Sequence, residues 1–181
     1  MKTNTSIYIA RHGQSTWNAQ HLWAGHDDPP LTDLGREQAK NACERLAEYN
    51  FDGITSSALS RAIETASIIS QILSVDLLDP IPDLNEIHIG DISGLTTDEI
   101  KAKYPGLIDR WDDGNPVDMP GGETWDDFTD RVFKGIQYLK TLKGTILVIA
   151  HEGVLRAIAF QLGEKLQSYE NLEGRWYDPE L

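Results

Sequence analysis

Apolar side chains recur along this chain with two different periods. Short β-prone runs at residues 6–10, 53–56, 75–78 and 145–150 read as buried strands. Between them the apolar positions return every three or four residues. Leu34, Ala39, Ala42, Leu46 and Ala47 do so over 32–49; Ala62, Ala66, Ile69 and Leu73 over 57–73; Phe128, Val132, Ile136 and Leu139 over 124–142. That is the spacing of a helix that buries one face. Thr32 is placed to cap the first of them, and a last helix is expected over 154–162 before a polar tail. The run at 145–150 is the most apolar and is expected at the centre of the sheet; Pro80 and Pro82 end the run at 75–78.

From 83 to 122 the pattern weakens to a short helix at 97–104 and a Gly/Pro-rich run at 114–122. Strand–helix alternation with no internal repeat or linker predicts one doubly wound α/β domain over 1–181, with 83–122 as an irregular insert over the site. In such sheets the loops after the strands carry the chemistry. The first strand runs into Arg11-His12-Gly13 and the last into His151-Glu152-Gly153, while Arg61 stands near the start of a helix. If those two strands are neighbours, His12 and His151 meet at one edge.

Composition narrows the partner. The formal net charge of −13, with 29 acidic and 16 basic side chains, argues against nucleic acid and against an anionic membrane surface. A few arginines in a cleft still suffice for a small anion. No apolar run approaches a membrane span, and no signal segment precedes the first strand. The single cysteine, Cys43, is expected to be buried and structural. A cytoplasmic protein is the expectation, its oligomeric state unread. His21 and His26 beside Asp27 and Asp28 are too loosely spaced for a metal site, and no metal or other cofactor is expected.

Arginines and histidines at strand ends suit a phosphate monoester. Guanidiniums match phosphoryl oxygens, and a neutral imidazole can attack phosphorus. On this reading His12 is the nucleophile, and Arg11, Arg61 and His151 meet the charge on the transferring group. A carboxylic acid must then protonate the leaving oxygen, and Glu86, in the irregular stretch after 75–78, is the candidate.

These residues stand in recognisable company. Arg11-His12-Gly13-Gln14-Ser15-Thr16-Trp17-Asn18 resembles the signature of the histidine phosphatase superfamily, in its phosphoglycerate mutase-like branch. Leu31-Thr32-Asp33-Leu34-Gly35, Ser56-Ser57-Ala58-Leu59-Ser60-Arg61-Ala62, Leu84-Asn85-Glu86, Pro120-Gly121-Gly122-Glu123-Thr124 and Ala150-His151 follow in family order, from about residue 6 to 160. The resemblance implies a three-layer α/β/α sandwich with a mostly parallel sheet, and metal-independent transfer through a phosphohistidine. It implies His12 as nucleophile, Glu86 as general acid, Arg11, Arg61 and His151 as phosphate ligands, and Asn18 as a further donor. With Asn18, Gln14, Ser15 and Gly25 complete the substrate-binding candidates.

Gln14-Ser15 and Leu84-Asn85-Glu86-Ile87-His88 look mutase-like. The distal cations with which the mutases hold a carboxylate are not matched: Thr97 stands in place of a lysine, and Arg110-Trp111 offers one arginine where a pair is expected. Each charge-assisted contact is worth roughly 1.5–3 kcal/mol, so water becomes the expected acceptor. The expectation is a phosphatase acting on a small phosphate ester, with a mutase or a phosphatase of protein phosphohistidine as alternatives. Glu152 replaces the family's usual glycine and is expected to point outward; with little chain beyond His151, an open site is expected. Trp23 and Trp111 are packing residues that can also line a substrate pocket.

Overall fold

The computed structural model describes residues 5–164 and 168–177. Four strands form one sheet: β1 (Thr5–Arg11), β2 (Gly53–Ser56), β3 (Gly144–Ala150) and β4 (Gly174–Tyr177), in the order β2-β3-β1-β4. β1 and β3 are parallel neighbours from Thr5↔Gly144 to Arg11↔Ala150. β2 runs parallel on the far side of β3, and β4 runs antiparallel on β1, from Ile7↔Tyr177 to Ala10↔Gly174. The C-terminal ends of β1, β2 and β3 therefore share one edge, and the loops that leave them open onto the same space.

Helices cover both faces. They are α1 (Thr16–Ala19), α2 (Asp33–Leu46), α3 (Ser60–Leu73), α4 (Thr97–Lys103), α5 (Leu107–Asp112), α6 (Trp125–Leu139) and α7 (Glu152–Gln161). The two-residue period of the strands sorts the core into two. Ile7, Ile9, Ile146 and Val148 pack with α6, α7 and the segment from Ile81 to Met119. Tyr8, Ala10, Leu147 and Ile149 pack with α2 and α3. This is the expected mixed α/β architecture, with helices on both sides of a central sheet. Phe128, Val132, Ile136 and Leu139 are all fully buried, as the helical period requires; each contributes roughly 1.5–3 kcal/mol by leaving water. Thr124 caps α6 and Thr32 caps α2, each accepting a backbone N–H in the first turn. Cys43 is buried. Among the described residues no helix is long and apolar enough to cross a membrane.

Four local expectations fail. Residues 75–78 make no strand, only a single bridge, Ile54↔Leu77. Ile54 N–H donates to Asp76 and Leu78 N–H to the Ile54 carbonyl. The next donor in that ladder falls on Pro80, which has no N–H, and Ile81 bonds the Ser56 carbonyl instead. Leu34 is 54% exposed, because the buried face of α2 is set by Gly35, Ala39, Ala42, Cys43 and Leu46; Ala47 is exposed in a 3-10 turn beyond it. The insert contains an unpredicted helix, α5, which buries Ile108 and Trp111. The tail is not merely polar: its last described stretch is β4. Residues 178–181 lie outside the described residues.

Candidate active site

The parallel register of β1 and β3 brings the two histidines together. His12 follows β1, its N–H bonds the Ala150 carbonyl, and its ring centroid is 5.1 Å from that of His151. The β1–α1 loop can run this close to α2 because of two glycines. A Cβ on Gly13 would stand 2.5 Å from the Gly35 carbonyl oxygen. Nδ1 of His12 is 2.6 Å from the Gly13 carbonyl oxygen. A carbonyl only accepts, so Nδ1 carries the hydrogen and Nε2 keeps its lone pair. Burial, then the guanidiniums of Arg61 and Arg11, hold His12 well below the usual histidine range. The ring is thus neutral, with Nε2 as its basic atom.

Arg61, near the start of α3, is almost fully buried. Its Nε donates to His12 Nε2 at 3.2 Å. Its two terminal nitrogens donate to the carbonyls of Asp27 and Gly25, both at 2.8 Å. Asp28 accepts from the Ser60 N–H at the N-terminus of α3 and lies 3.7 Å from Arg61. The turn-rich loop 21–30 is therefore a cradle that orients this guanidinium, and Gly25 enters the site through its carbonyl.

His151, the residue before α7, is wholly buried. Its Nε2 is 2.6 Å from Ser57 Oγ, and its Nδ1 has no partner. Burial, then Arg61, His12 and Arg11, push its titration well down. Nε of Arg11 is likewise buried and unpartnered. Two polar groups are thus left for something else to satisfy, since buried polar atoms are otherwise almost always paired.

Glu86 approaches from the insert. Its carboxylate accepts the N–H of Ile87 at 2.9 Å and that of Gly153 at 3.3 Å. The second bond requires glycine: a Cβ on residue 153 would lie 2.2 Å from Glu86 Oε1. Burial raises the Glu86 carboxyl above its ordinary value, against the two N–H groups and Arg61. Arg131 of α6 fastens the loop from outside. It donates to the carbonyls of Asp83, Asn85 and Glu86 and pairs with Glu123 at 2.6 Å.

Arg11, His12, Gln14, Asn18, Gly25, Arg61 and Glu86 line one cavity of about 540 Å³. Asn18 uses Oδ1 to accept the Ser15 N–H at 3.0 Å, and Gln14 accepts from the Thr32 hydroxyl at 2.9 Å. Ser15 is buried as the cap of α1 and is not among the lining residues. Trp23 and Trp111 line the cavity, their centroids 6.0 Å apart, and Trp23 donates to Thr97 Oγ1.

Two expectations about the rim are overturned. Glu152 faces the cavity, because Arg11 at 3.1 Å and Arg156 at 3.3 Å hold its carboxylate there. The edge expected to be open is framed by residues 168–173. Tyr169 accepts from Arg11 Nη1 at 2.6 Å, and Asn171 donates to the His12 carbonyl at 2.8 Å. Ser168, Glu170 and Asn171 join the lining.

Ser57, Arg131, Gly153 and Arg156 were not anticipated. Ser57 had a signal, since it follows β2 as His12 follows β1. Arg131 and Arg156 sit on long helices with no such mark.

A profile of the Histidine phosphatase superfamily (branch 1) matches residues 7–175. A 2,3-bisphosphoglycerate-dependent phosphoglycerate mutase of Brucella canis is 39% identical over 168 residues, covering 87% of this chain and 81% of its own. Among solved structures, Bacillus stearothermophilus YhfR superposes with a TM-score of 0.81 at 28% identity, covering 95% of this chain and 90% of that one. A mycobacterial glucosyl-3-phosphoglycerate phosphatase, in complex with VO3, superposes with a TM-score of 0.83 at 27% identity, covering 94% and 91%.

Proposed function

Because the chain belongs to branch 1 of the histidine phosphatase superfamily, we propose that it hydrolyses phosphate monoesters without a metal, through a phosphohistidine on His12. The observation that carries this reading is the neutral His12, whose Nε2 lone pair lies beside the Arg61 guanidinium on the wall of a cavity that Glu86 also lines. The ester's phosphoryl group sits among Arg11, Arg61, Asn18 and the Nδ1 of His151. His12 Nε2 attacks phosphorus as the P–O bond to the alcohol breaks. The protonated carboxyl of Glu86, raised by its burial, gives its proton to the departing oxygen. Glu86, now a carboxylate, takes a proton from the water that attacks the phosphohistidine. Inorganic phosphate leaves, and both residues return to their starting state. The arginines stabilise charge on the equatorial oxygens throughout.

The ester is a small molecule in this reading, and the enzyme works in the cytoplasm. A second reading, phosphoglycerate mutase, is favoured by the Brucella relatives and differs only in the acceptor of the phosphoryl group. One experiment separates them. The protein with excess EDTA is given a panel of monoesters that includes 3-phosphoglycerate, and released phosphate and isomerised ester are both measured. Phosphate release that survives EDTA and exceeds isomerisation supports the phosphatase. Isomerisation far above hydrolysis decides for the mutase.

A further inference from the structure

Resting on the phosphatase reading, one feature of the cavity bears on the alcohol that is released. Beyond His12 the wall turns aromatic, with Trp23 and Trp111. Its cationic side chains, among the described residues, are Arg11, Arg61 and Arg156. Arg61 is committed to His12 and to the carbonyls of Gly25 and Asp27. Arg156 lies 4.8 Å over the Trp111 ring and donates to the Trp111 carbonyl at 2.8 Å. A guanidinium beside an indole is a ready seat for a carboxylate on the leaving group.

That seat is already taken. Oε1 of Glu152 accepts from Nε of Arg156 at 3.3 Å, and its Oε2 lies 3.1 Å from Nη1 of Arg11. Ser168 donates to the same carboxylate at 3.4 Å. One acid thus bridges the guanidinium at the phosphoryl end and the guanidinium beside Trp111. Asp112 and Glu170 add further negative charge to the wall. A second anionic group arriving there meets a neutralised arginine among carboxylates, and must displace Glu152 to gain a partner.

We propose that Glu152 is a specificity-determining residue: by occupying Arg156 it directs the site to monoesters of uncharged alcohols and against esters that carry a second anionic group. Glycerol 3-phosphate and 3-phosphoglycerate make the test. They share a three-carbon skeleton and differ by a hydroxymethyl group against a carboxylate. The wild-type protein should favour glycerol 3-phosphate in kcat/KM by about tenfold or more. Glu152→Gln should move that ratio at least about tenfold toward 3-phosphoglycerate, and Arg156→Met in the Glu152→Gln background should move it back. Losses common to both esters cancel in the ratio. A wild-type preference for 3-phosphoglycerate, a ratio unmoved by Glu152→Gln, or a gain that survives Arg156→Met each overturns the proposal.

Two further measurements separate this proposal from the phosphatase reading. Failure of the wild-type protein to hydrolyse either ester or p-nitrophenyl phosphate defeats the phosphatase reading alone. Dissociation constants of the two esters for the wild-type protein then decide on selectivity, with equal affinity or tighter binding of 3-phosphoglycerate counting against it. That measurement needs no variant to fold.

Discussion

Arg61 donates its Nε–H to Nε2 of His12 across 3.2 Å, so the most buried cation of the site touches the atom assigned as nucleophile. The Nε2 lone pair accepts this bond, so attack on phosphorus requires Arg61 to hand its N–H to a phosphoryl oxygen as Nε2 bonds to phosphorus. His12→Ala should abolish turnover while leaving the thermal unfolding profile cooperative. Arg61→Lys keeps the charge but loses the fork that spans His12, Gly25 and Asp27. It should cost about 100-fold or more in kcat/KM, in the range seen on losing one preorganised donor. Activity within a few-fold of wild type in either variant contradicts the assignment.

The pH profile has a definite sign. The free-enzyme general acid must be protonated, and burial raises the Glu86 carboxyl above 4.5. The nucleophile must be neutral, and burial with two arginines puts His12 well below 6.5. For an ester with a poor leaving group, kcat/KM should therefore fall as pH rises through the raised Glu86 value, and show no loss at the ordinary histidine pKa. Glu86→Gln should slow such esters by about 100-fold or more and remove that alkaline fall, yet slow p-nitrophenyl phosphate far less, since that leaving group hardly needs a proton. Equal slowing of both ester types counts against the acid role.

Stability should follow the same groups with opposite signs. Raised in the fold, Glu86 contributes stability below pH 4.5 that is lost as pH climbs through its folded value. Glu86→Gln should accordingly raise Tm at pH 7, and the gain should vanish below pH 4.5. His12 and His151 are depressed in the fold, so their contribution is present above pH 6.5 and is lost as pH falls toward their folded values. Each steepens acid destabilisation by up to about 1.4 kcal/mol per pH unit in that window. Tm measured from pH 8 to 5 should decline from about pH 6.5 in the wild type, and less steeply in His12→Gln. Identical slopes would contradict the burial of a neutral imidazole.

Gly153→Ala tests how Glu86 is seated. The added methyl carbon would stand 2.2 Å from Glu86 Oε1, so the carboxylate must leave the N–H of residue 153. Esters with poor leaving groups should slow by about tenfold to 100-fold, because a misplaced proton donor loses much of its effect. p-Nitrophenyl phosphate should be largely spared. A uniform loss across both would indicate general disruption of the α7 start.

Arg131 holds the same carboxylate at one remove, through the carbonyls of Asp83, Asn85 and Glu86. Arg131→Met takes a donor from three carbonyls and leaves Glu123 with the N–H of His88. It should cost about 1–3 kcal/mol of stability, as polar groups left unsatisfied at a partly buried site do, and flatten the alkaline limb set by Glu86. Arg131→Lys should recover part of the stability but not the bidentate contact with Glu123. An unchanged pH profile in a folded Arg131→Met would show that the clamp supports the fold alone.

Much of this was legible in the sequence because strands and strand ends are local signals. The runs at 53–56 and 145–150 predicted β2 and β3 to within a residue, and β1 gained one residue at each end. His12 and His151 were found because each follows an apolar run. Where reading failed, the deciding partner lay far away in the chain. Residues 75–78 look like a strand until Pro80 is seen to fall on a donor position of the ladder with β2. β4 is only four residues long and exists because β1 offers it an edge. Glu152 looks solvent-facing from its neighbours in sequence and is turned inward by Arg11 and Arg156. The role of Ser15 in the octapeptide is capping, which the neighbouring Asn18 completes.

The pairing of β4 with β1 carries a hazard as well as a benefit. β1 is an apolar strand, and among the described residues its outer hydrogen-bonding side is covered by β4 and, at Arg11, by Leu172 and Glu173. The stretch that leads into β4 also tethers the His12 carbonyl through Asn171. Chain shortened to end at Gly163 would lose that tether and leave the outer edge of this apolar strand open to other molecules at once. Inactivation and self-association should then appear together, at the same point in a series of C-terminal truncations.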